Sequence, residues 1–521
     1  MMTREELPLS LSKVRTCSTY GVHAYLVEVE THIERQLPSF AIVGLPDNAV
    51  KESRERITAA VRNSGFEFPP RKITVNLAPA DIKKEGSAFD LPMAVGILAS
   101  TGQVPAGLLD RYLLVGELAL DGSLRPIHGA LPMALEARKR KVKGMILPRE
   151  NGNEAAMVEG VAVFPLSSLK ETVEFLAGDH LLLAPHRVDV EELFRREQHP
   201  AADFADVRGQ ENVKRALEVA AAGGHNIIMI GPPGSGKTML AKRLPGILPP
   251  LSFEEALETT KIHSVAGLLP REAALVAVRP FRSPHHTISD AALVGGGSVP
   301  RPGEISLAHH GVLFLDELPE FARNVLEVLR QPLEDGRVTI SRTKLSVEYP
   351  ANFMLVCAMN PCPCGYATDP SRECTCQPHV IQKYMAKISG PLLDRIDLHI
   401  EVPAVKYKDL SGKEQGERSE SIRSRVVRAR ELQSARFKGR KGLYANADMQ
   451  SREIREHCTL DRAGEELLSM AITKLGLSAR AYDRILKVGR TIADLAGSAG
   501  ILPEHVGEAI QYRSLDREGF A

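Results

Sequence analysis

One octapeptide constrains the fold of this chain more than any other segment. It consists of Gly231, Pro232, Pro233, Gly234, Ser235, Gly236, Lys237 and Thr238 and fits the phosphate-binding pattern G-x-x-x-x-G-K-[ST]. The glycines let backbone N–H groups turn towards a polyphosphate. Lys237 can place a positive charge on the β- and γ-phosphates, and Thr238 can hold Mg²⁺ through its hydroxyl. The apolar run before the loop predicts a strand and the residues after it predict a helix, so we expect a nucleoside triphosphate to bind at this turn.

A second set of polar residues follows two apolar runs further along the chain. Residues 311–315 predict a buried strand, and Asp316 and Glu317 come directly after it. Ligands of open α/β sheets bind at the carboxyl ends of the strands, so Asp316 can join the Mg²⁺ shell and Glu317 can polarise an attacking water. The run 352–359 predicts another buried strand. Asn360 at its end can contact the γ-phosphate or orient the water, and the alternative is a turn-initiating Asn-Pro pair.

The chain divides into blocks, and its 521 residues suggest about three domains. Residues 1–178 alternate strand-like and helix-like segments, and residues 179–202 form a linker rich in Pro, His and charge. The P-loop block spans 203–403, and a mostly helical, charged block spans 404–521. Together they predict an α/β multidomain fold. Within the first block we expect strands over 39–44 and 71–77 and helices over 48–64 and 90–101.

The composition limits where the chain acts. Its formal net charge is +1, so binding to nucleic acid has to come from a local patch of charge. No apolar run approaches the roughly 18 residues needed to span a bilayer, and the first residues lack the apolar core of a signal peptide. Seven cysteines, four of them clustered, argue against a secreted disulfide framework. We therefore expect a cytoplasmic protein that does not enter the membrane.

The P-loop, the Asp-Glu pair and the asparagine on the next strand together resemble an AAA+ ATPase. Three further stretches, 281–286, 303–321 and 390–397, resemble the magnesium-chelatase-like AAA+ family, and most closely its ComM/YifB competence proteins. The resemblance covers nearly the whole chain in the family's domain order. It implies an AAA+ P-loop domain followed by a helical lid, ATP and Mg²⁺ as ligands, and assembly into a hexameric ring.

The same resemblance implies roles for two arginines. Arg395 matches the arginine finger that reaches the neighbouring subunit's nucleotide, and Arg480 matches the sensor-2 position of the lid. A fixed guanidinium neutralises charge on the transferring phosphoryl group. The alternatives are an ion pair of Arg395 with Asp394 or Asp397, and a structural role of Arg480 in the lid.

The N-terminal block resembles the Lon protease domain, with residues 84–94, 113–129 and 143–150 carrying the likeness. Lon proteases use a Ser–Lys pair in which the lysine deprotonates the nucleophile. On that pattern the nucleophile position falls on Ala88 and the lysine position on Pro132. The resemblance therefore implies a Lon-like α/β fold that lacks its catalytic dyad and serves as a scaffold or a partner-binding domain.

Four cysteines lie close together between Asn360 and Arg395: Cys362, Cys364, Cys374 and Cys376. Four thiolates can hold Zn²⁺ in a tetrahedral site. The two C-x-C pairs are less usual as zinc ligands than C-x-x-C pairs, and cysteines can also serve as small buried apolar groups. The sequence leaves both hypotheses open.

A basic segment is the best candidate for contact with a polymer. Residues 336–349 predict a β-hairpin with Arg342 and Lys344 near its tip. In helicase-like AAA+ proteins such a hairpin faces the central channel, where the two side chains can pair with phosphates. The insert 281–303 is a second candidate for a pore loop. An ordinary solvated hairpin is the alternative.

These features predict an ATP-hydrolysing motor. The resemblance implies a hexameric DNA helicase or branch-migration factor in natural transformation and recombination, with single-stranded or branched DNA as partner. The alternative is a protein-remodelling ATPase like the motor subunit of magnesium chelatase. An ATP-dependent protease is disfavoured by Ala88 and Pro132.

Overall fold

The computed structural model of the chain forms two compact units. Unit 1 comprises Met1–Arg196 and Ala256–Val276, and unit 2 comprises Glu197–Glu255 and Ala277–Ala521. These units differ from the blocks predicted from the sequence in two ways. Residues 256–276 of the predicted P-loop block belong to unit 1, and the predicted helical block joins the rest of the P-loop block in unit 2. The structure describes residues 11–178, 183–196, 202–270, 274–297, 300–342, 345–369, 372–404, 416–440, 442–475, 477–513 and 515.

Strands and helices alternate through most of the chain, and helices dominate its last hundred residues. The strands are β1 (Leu11–Tyr20), β2 (His23–Glu34), β3 (Ser39–Val43), β4 (Lys72–Ala78), β5 (Tyr112–Leu114), β6 (Glu117–Leu118), β7 (Leu124–Arg125), β8 (Gly144–Pro148), β9 (Ala162–Leu166), β10 (Ile227–Ile230), β11 (Phe281–Arg282), β12 (Gly295–Gly296), β13 (Arg301–Pro302), β14 (Val312–Leu315), β15 (Arg337–Arg342), β16 (Leu345–Pro350), β17 (Met354–Met359) and β18 (Leu398–Glu401). The helices are α1 (Asn48–Asn63), α2 (Asp90–Ser100), α3 (Ala130–Lys139), α4 (Gly152–Ala156), α5 (Leu169–Ala177), α6 (Val190–Arg196), α7 (Glu211–Gly223), α8 (Lys237–Arg243), α9 (Phe253–Ala266), α10 (Asp290–Val294), α11 (Glu304–Leu307), α12 (Arg323–Glu327), α13 (Arg330–Asp335), α14 (Pro378–Met385), α15 (Gly390–Leu393), α16 (Ser419–Arg436), α17 (Ser451–His457), α18 (Arg462–Leu475), α19 (Ala479–Leu495) and α20 (Pro503–Gln511).

Unit 1 is built around a seven-stranded mixed sheet with the order β3-β4-β2-β1-β5-β8-β9. β1 and β2 form a long antiparallel hairpin, whereas β1, β5, β8 and β9 run parallel. The predicted elements β3, β4, α1 and α2 are confirmed to within one residue at each end. The inward face of β1 carries the buried polar residues Ser12, Thr16 and Ser18. Because this face is largely polar, the sequence does not show the alternation of apolar and polar residues that predicts a strand.

Unit 2 contains a five-stranded parallel sheet with the order β11-β14-β17-β10-β18. Every residue of β10, β14 and β17 is buried, as expected for central strands of a parallel sheet that is covered on both faces. Because the strands are parallel, the carboxyl ends of these three strands meet at one edge of the sheet. The P-loop, the Asp-Glu pair and Asn360 follow β10, β14 and β17 respectively, so this edge gathers the predicted site.

The C-terminal part of unit 2 is helical, which confirms the expectation of a helical region after the P-loop domain. Apolar residues of α16, α19 and α20, among them Val426, Ile485 and Val506, belong to the same hydrophobic core as the parallel sheet. The helix α7 contributes its buried, alanine-rich face to this core and ends at Gly224, whose φ of +70° closes the helix. Nowhere in the part of the chain that the structure describes is a helix long and apolar enough to cross a membrane.

Candidate nucleotide site and associated clusters

The P-loop turns tightly between β10 and α8. A Cβ atom on Gly231 would lie 2.1 Å from the carbonyl oxygen of Val402, so a side chain at this position would collide with backbone. Gly234 and Gly236 have φ values of +77° and +88°, in the region that favours glycine. The conformation of the loop therefore explains why the pattern requires glycine at 231 and 236, and why glycine also suits position 234.

Lys237 lies at the centre of the loop and is 8% exposed. Its Nζ donates to the carbonyl oxygens of Gly231 at 2.7 Å and Pro232 at 3.0 Å. It also lies 3.3 Å from Oδ1 of Asn360, which joins the P-loop to the predicted sensor. Burial lowers the pKa of Lys237, and the carboxylates of Asp316 and Glu317 oppose that shift. The ammonium group is thus held where it can meet the charge of a phosphate.

The predicted magnesium ligands are in direct contact. Thr238 Oγ1 donates to Oδ2 of Asp316 at 2.6 Å, across the 78 residues that separate them. Mg²⁺ prefers oxygen ligands, and the P-loop threonine with the aspartate that follows β14, two strands away in the sheet, fits that donor set. Glu317 has a φ of +53° and a side chain that is 57% exposed, with His286 Nδ1 3.6 Å from its Oε2. Its carboxylate is accessible to water beside the phosphate-binding loop.

A cavity of about 470 Å³ adjoins the P-loop. Apart from Pro232, the residues that line this cavity were not predicted as site residues from the sequence. Ile230, Pro232 and Val402 contribute apolar walls. Gln210, with a φ of +57°, also lines it and donates through Nε2 to Ser235 O at 2.9 Å and Pro403 O at 3.1 Å. A cavity with both apolar walls and polar groups beside a phosphate-binding loop suits the base of a nucleotide. The only sequence signal is the position of Gln210 directly before α7.

Arg395 lies away from the P-loop and is held within its own chain. Its side chain is 11% exposed, pairs with Glu334, and donates to the carbonyl oxygen of Pro391 at 2.5 Å. Asn226 Nδ2 donates to the backbone carbonyl of Arg395 at 2.9 Å. A cavity of about 510 Å³ adjoins the guanidinium. The ion pair is thus with Glu334 and not with either aspartate that the sequence suggested.

Arg480 lies in the first turn of α19 and is 67% exposed. Its Nη1 lies 3.0 Å from Oδ2 of Asp394, one residue before Arg395 in the chain. Arg480 is therefore linked to Arg395 through Asp394, the residue before Arg395 in the chain. Neither arginine contacts Lys237 among the described residues.

A buried polar cluster links the parallel sheet to the helical region, and sequence reasoning missed it. Asp397 is 4% exposed and contacts Arg484, while its Oδ2 lies 3.3 Å from His225 Nδ1. His225 Nε2 lies 2.8 Å from Thr491 Oγ1 on α19. Burial alone would raise the pKa of Asp397, but Arg484 and His225 outweigh burial and hold the pKa well below its ordinary value.

The structure brings the four clustered cysteines together. Cys362 Sγ lies 3.3 Å from Cys364 Sγ and 3.7 Å from Cys374 Sγ, and Cys364 Sγ lies 3.6 Å from Cys374 Sγ. Cys376 completes a set in which all four sulfur atoms lie within 4.8 Å of one another. Backbone N–H groups of Tyr366 and Thr375 lower the pKa of Cys364 to about 5.

The predicted hairpin is confirmed as β15 and β16, which pair from Arg337 with Pro350 to Arg342 with Leu345. Val338, Ile340, Val347 and Tyr349 form its buried face. Tyr349 OH donates to Pro300 O at 2.7 Å, so the hairpin packs on the insert 281–303. Lys344 and the side chain of Arg342 lie outside the described residues.

The positions that correspond to a Ser–Lys dyad carry no such chemistry in unit 1. Pro132 is buried within α3, and the backbone carbonyl of Ala88 accepts from Gly116 N at 2.9 Å. Ser87, next to Ala88, donates its hydroxyl to Glu117. A carboxylate partner does not supply the lysine base of a Lon protease.

The P-loop follows β10, an acidic pair follows β14, and an asparagine follows β17, which lies between these two strands. Together with a helical region on the same core, this arrangement defines a P-loop ATPase of the AAA+ class. Comparison with known proteins agrees with this class. Family profiles match in chain order: subunit ChlI of magnesium chelatase over residues 29–151, magnesium chelatase subunit ChlI over 203–410, and the ChlI C-terminal region over 416–513.

Individual relatives narrow the family. The uncharacterized protein YifB of Escherichia coli strain K12 is 47% identical over 510 residues, which cover 98% of each chain. Competence protein ComM of Haemophilus influenzae is 46% identical over 512 residues, again 98% of each chain. The magnesium-chelatase 38 kDa subunit of Rhodobacter capsulatus is 24% identical over 229 residues, which cover 40% of this chain and 61% of that protein. The chain belongs to the ComM/YifB family of magnesium-chelatase-like AAA+ ATPases, and it therefore uses ATP and Mg²⁺.

Proposed function

We propose that this chain is the subunit of a hexameric ring that uses ATP hydrolysis to move along DNA in the cytoplasm, as a helicase or branch-migration factor in natural transformation and recombination. Its similarity to competence protein ComM of Haemophilus influenzae supports a role in competence. The observation that carries the proposal is the hairpin β15–β16, which is anchored by an apolar face. In the sequence, the basic residue Lys344 falls between its two strands.

The residues around the P-loop have distinct roles in ATP hydrolysis. Lys237 binds the β- and γ-phosphates, and Asn360, which is already in contact with Lys237, orients the γ-phosphate or the water. Glu317 accepts a hydrogen bond from the attacking water and polarises it. Thr238 and Asp316 hold Mg²⁺, which when bound neutralises charge on the phosphates. The cavity beside Pro232, with its apolar walls and polar groups, receives the base.

Arg395 acts on the nucleotide of the neighbouring subunit. Its contacts within the chain are with Glu334, Pro391 and Asn226. Asn226 lies at the amino end of β10, whereas the P-loop follows the carboxyl end of that strand. A cavity beside the guanidinium leaves room for a neighbouring chain to approach. In the ring, the Arg395 guanidinium leaves Glu334 and pairs with the γ-phosphate of the nucleotide bound to the neighbouring subunit.

Mixing two inactive variants tests this arrangement. Lys237→Ala removes the P-loop lysine but keeps the finger, and Arg395→Ala removes the finger but keeps the P-loop. In a mixed ring, the intact P-loop of one chain meets the intact finger of the other, so ATP turnover recovers. No recovery in mixed hexamers would mean that Arg395 acts within its own chain. Sedimentation of the mixture of the two variants with a non-hydrolysable ATP analogue checks that mixed rings form.

The hairpin tip grips the DNA backbone. We expect the double variant Arg342→Ala/Lys344→Ala to bind fluorescent single-stranded DNA more weakly. Its affinity should also depend less on salt, because each lost phosphate contact reduces the slope of log affinity against log salt concentration. Arg337→Ala is the matched control, since Arg337 lies at the base of the same hairpin and pairs with Glu348 at 3.5 Å. Equal DNA binding by all three proteins at low salt would remove the hairpin from the proposal.

The alternative function is a protein-remodelling ATPase, which the matches to magnesium chelatase subunits favour. In that case ATP turnover responds to a protein partner and not to DNA. In either case we propose that unit 1 is a Lon-like scaffold or partner-binding domain, because Ala88 and Pro132 stand at the two dyad positions. Proteolysis is the least supported function.

A further inference from the structure

The four-cysteine cluster has the geometry of a tetrahedral metal site. Zinc bound by four thiolates at about 2.3 Å places neighbouring sulfur atoms about 3.8 Å apart. The three sulfur-to-sulfur distances among Cys362, Cys364 and Cys374 are 3.3, 3.7 and 3.6 Å, and Cys376 lies within reach of all three. The four ligand atoms come from two C-x-C segments that fold back on each other.

The surroundings of the cluster favour metal binding over simple packing. Only Cys362 is buried, whereas the other three cysteines are partly exposed, so the set does not serve as apolar core. The backbone N–H of Cys364 donates to Cys376 Sγ at 3.4 Å, and N–H groups of Tyr366 and Thr375 point to the sulfur of Cys364. Such N–H···S hydrogen bonds hold and orient thiolate ligands.

The cluster is joined to the ATP site by two short connections. Cys362 follows the sensor Asn360 with one proline between them, and Asn360 contacts Lys237 of the P-loop. Gly365, with a φ of +86°, closes the first turn by donating to Cys362 O at 2.9 Å. A Cβ on Gly365 would lie 2.5 Å from Cδ of Pro233, so this turn rests directly on the P-loop.

We propose that Cys362, Cys364, Cys374 and Cys376 bind one Zn²⁺ ion, and that this ion fixes the turn that positions Asn360 and supports Pro233. Zinc is thus a structural element of the ATP site: its loss frees both connections while leaving the phosphate-binding residues in place. The site fits Zn²⁺ better than Mg²⁺ or Ca²⁺, because four sulfur ligands select a soft or borderline metal. The inference rests on ATP hydrolysis by the chain but not on its action on DNA.

Metal content tests the site itself. We expect the purified full chain to contain about one zinc per chain by elemental analysis. The variant Cys374→Ser/Cys376→Ser is expected to lose most of it, whereas Cys458→Ser, which removes a buried cysteine outside the cluster, keeps it. Wild-type protein reconstituted with Co²⁺ should show the absorption of tetrahedral thiolate coordination. Zinc below about a tenth of an equivalent, or a cluster isolated as disulfides or with iron, overturns the metal assignment.

Removal of zinc from the wild-type protein tests the connection to the ATP site and does not depend on folding of a variant. Zinc-free protein, prepared by chelation, freed of the chelator and assayed in excess Mg²⁺, should turn over ATP about tenfold to a hundredfold more slowly, because displacing a positioned group by about 1 Å has an effect of that size. Binding of a fluorescent ATP analogue should change far less, and added Zn²⁺ should restore turnover. Unchanged turnover in zinc-free protein overturns the positioning role even if zinc is present in the native protein.

Discussion

Asp397 and Asp394 lie three residues apart, and one forms a buried ion pair while the other forms an exposed one. Substituting each in turn measures how much the buried contact between the sheet and the helices stabilises the fold, with the exposed pair as the control. Asp397 is 4% exposed and contacts Arg484 and the fully buried His225. Asp394 pairs with Arg480, but its side chain is 34% exposed and that of Arg480 is 67% exposed. Removing one partner of a buried ion pair costs about 3–5 kcal/mol, whereas an exposed pair contributes about 0–1 kcal/mol.

We therefore expect Asp397→Ala to lower the free energy of unfolding by about 3–5 kcal/mol, out of a typical total of about 5–15 kcal/mol. Asp394→Ala should change it by less than about 1 kcal/mol. The chain has no tryptophan, so thermal unfolding is followed by circular dichroism, and hydrogen exchange of β17 peptides reports on unit 2 separately. Shifts of similar size in the two variants would refute the assignment of the buried cluster as the stabilising contact.

The ion pair of Asp397 with Arg484 also makes the stability of the fold depend on pH, in a direction that can be worked out. The folded-state pKa of Asp397 is depressed by Arg484 and His225, so its contribution is present above the unfolded pKa of about 3.9. It is lost as the pH falls through the lower, folded pKa. The stability difference between wild type and Asp397→Asn should shrink as the pH falls below about 4. A difference that grows below pH 4 would contradict this sign.

Further substitutions separate binding from hydrolysis and test unit 1. Lys237→Ala should abolish binding of a fluorescent ATP analogue, whereas Glu317→Gln should bind it and fail to turn over ATP; loss of binding in both would deny Glu317 a role in the chemical step. Arg395→Ala should lower ATP turnover about 10³-fold and retain ATP binding, and unchanged turnover would remove the finger assignment. Ser87→Ala should leave both ATP turnover and the absence of peptide cleavage unchanged; cleavage of an unfolded substrate that depends on Ser87 would restore a protease function.

Much of the ATP site could be predicted because its residues follow continuous apolar runs. β10, β14 and β17 are buried on both faces, so the sequence marks them clearly, and the parallel arrangement then gathers Lys237 and Asn360 at one edge. The contact between Thr238 and Asp316 follows from the same geometry.

Other features depend on long-range packing that local patterns do not encode. His225 and Asp397 meet across 172 residues, and although Asp397 ends the stretch 390–397, nothing in the sequence connects it with His225. The partner of Arg395 is Glu334, 61 residues away, although aspartates lie beside it in the chain. The grouping of residues 256–276 with unit 1 likewise has no signal in composition, because the helix α9 runs without interruption across the boundary.

The rate of ATP hydrolysis by the full chain with and without branched DNA tests the central claim most directly. At low salt, we expect branched or single-stranded DNA to raise turnover several-fold in the wild type and in Arg337→Ala. The stimulation should be lost in Arg342→Ala/Lys344→Ala and should decline as salt is added, since phosphate contacts are screened. Turnover that is the same with and without every form of DNA at low salt would contradict a motor on DNA.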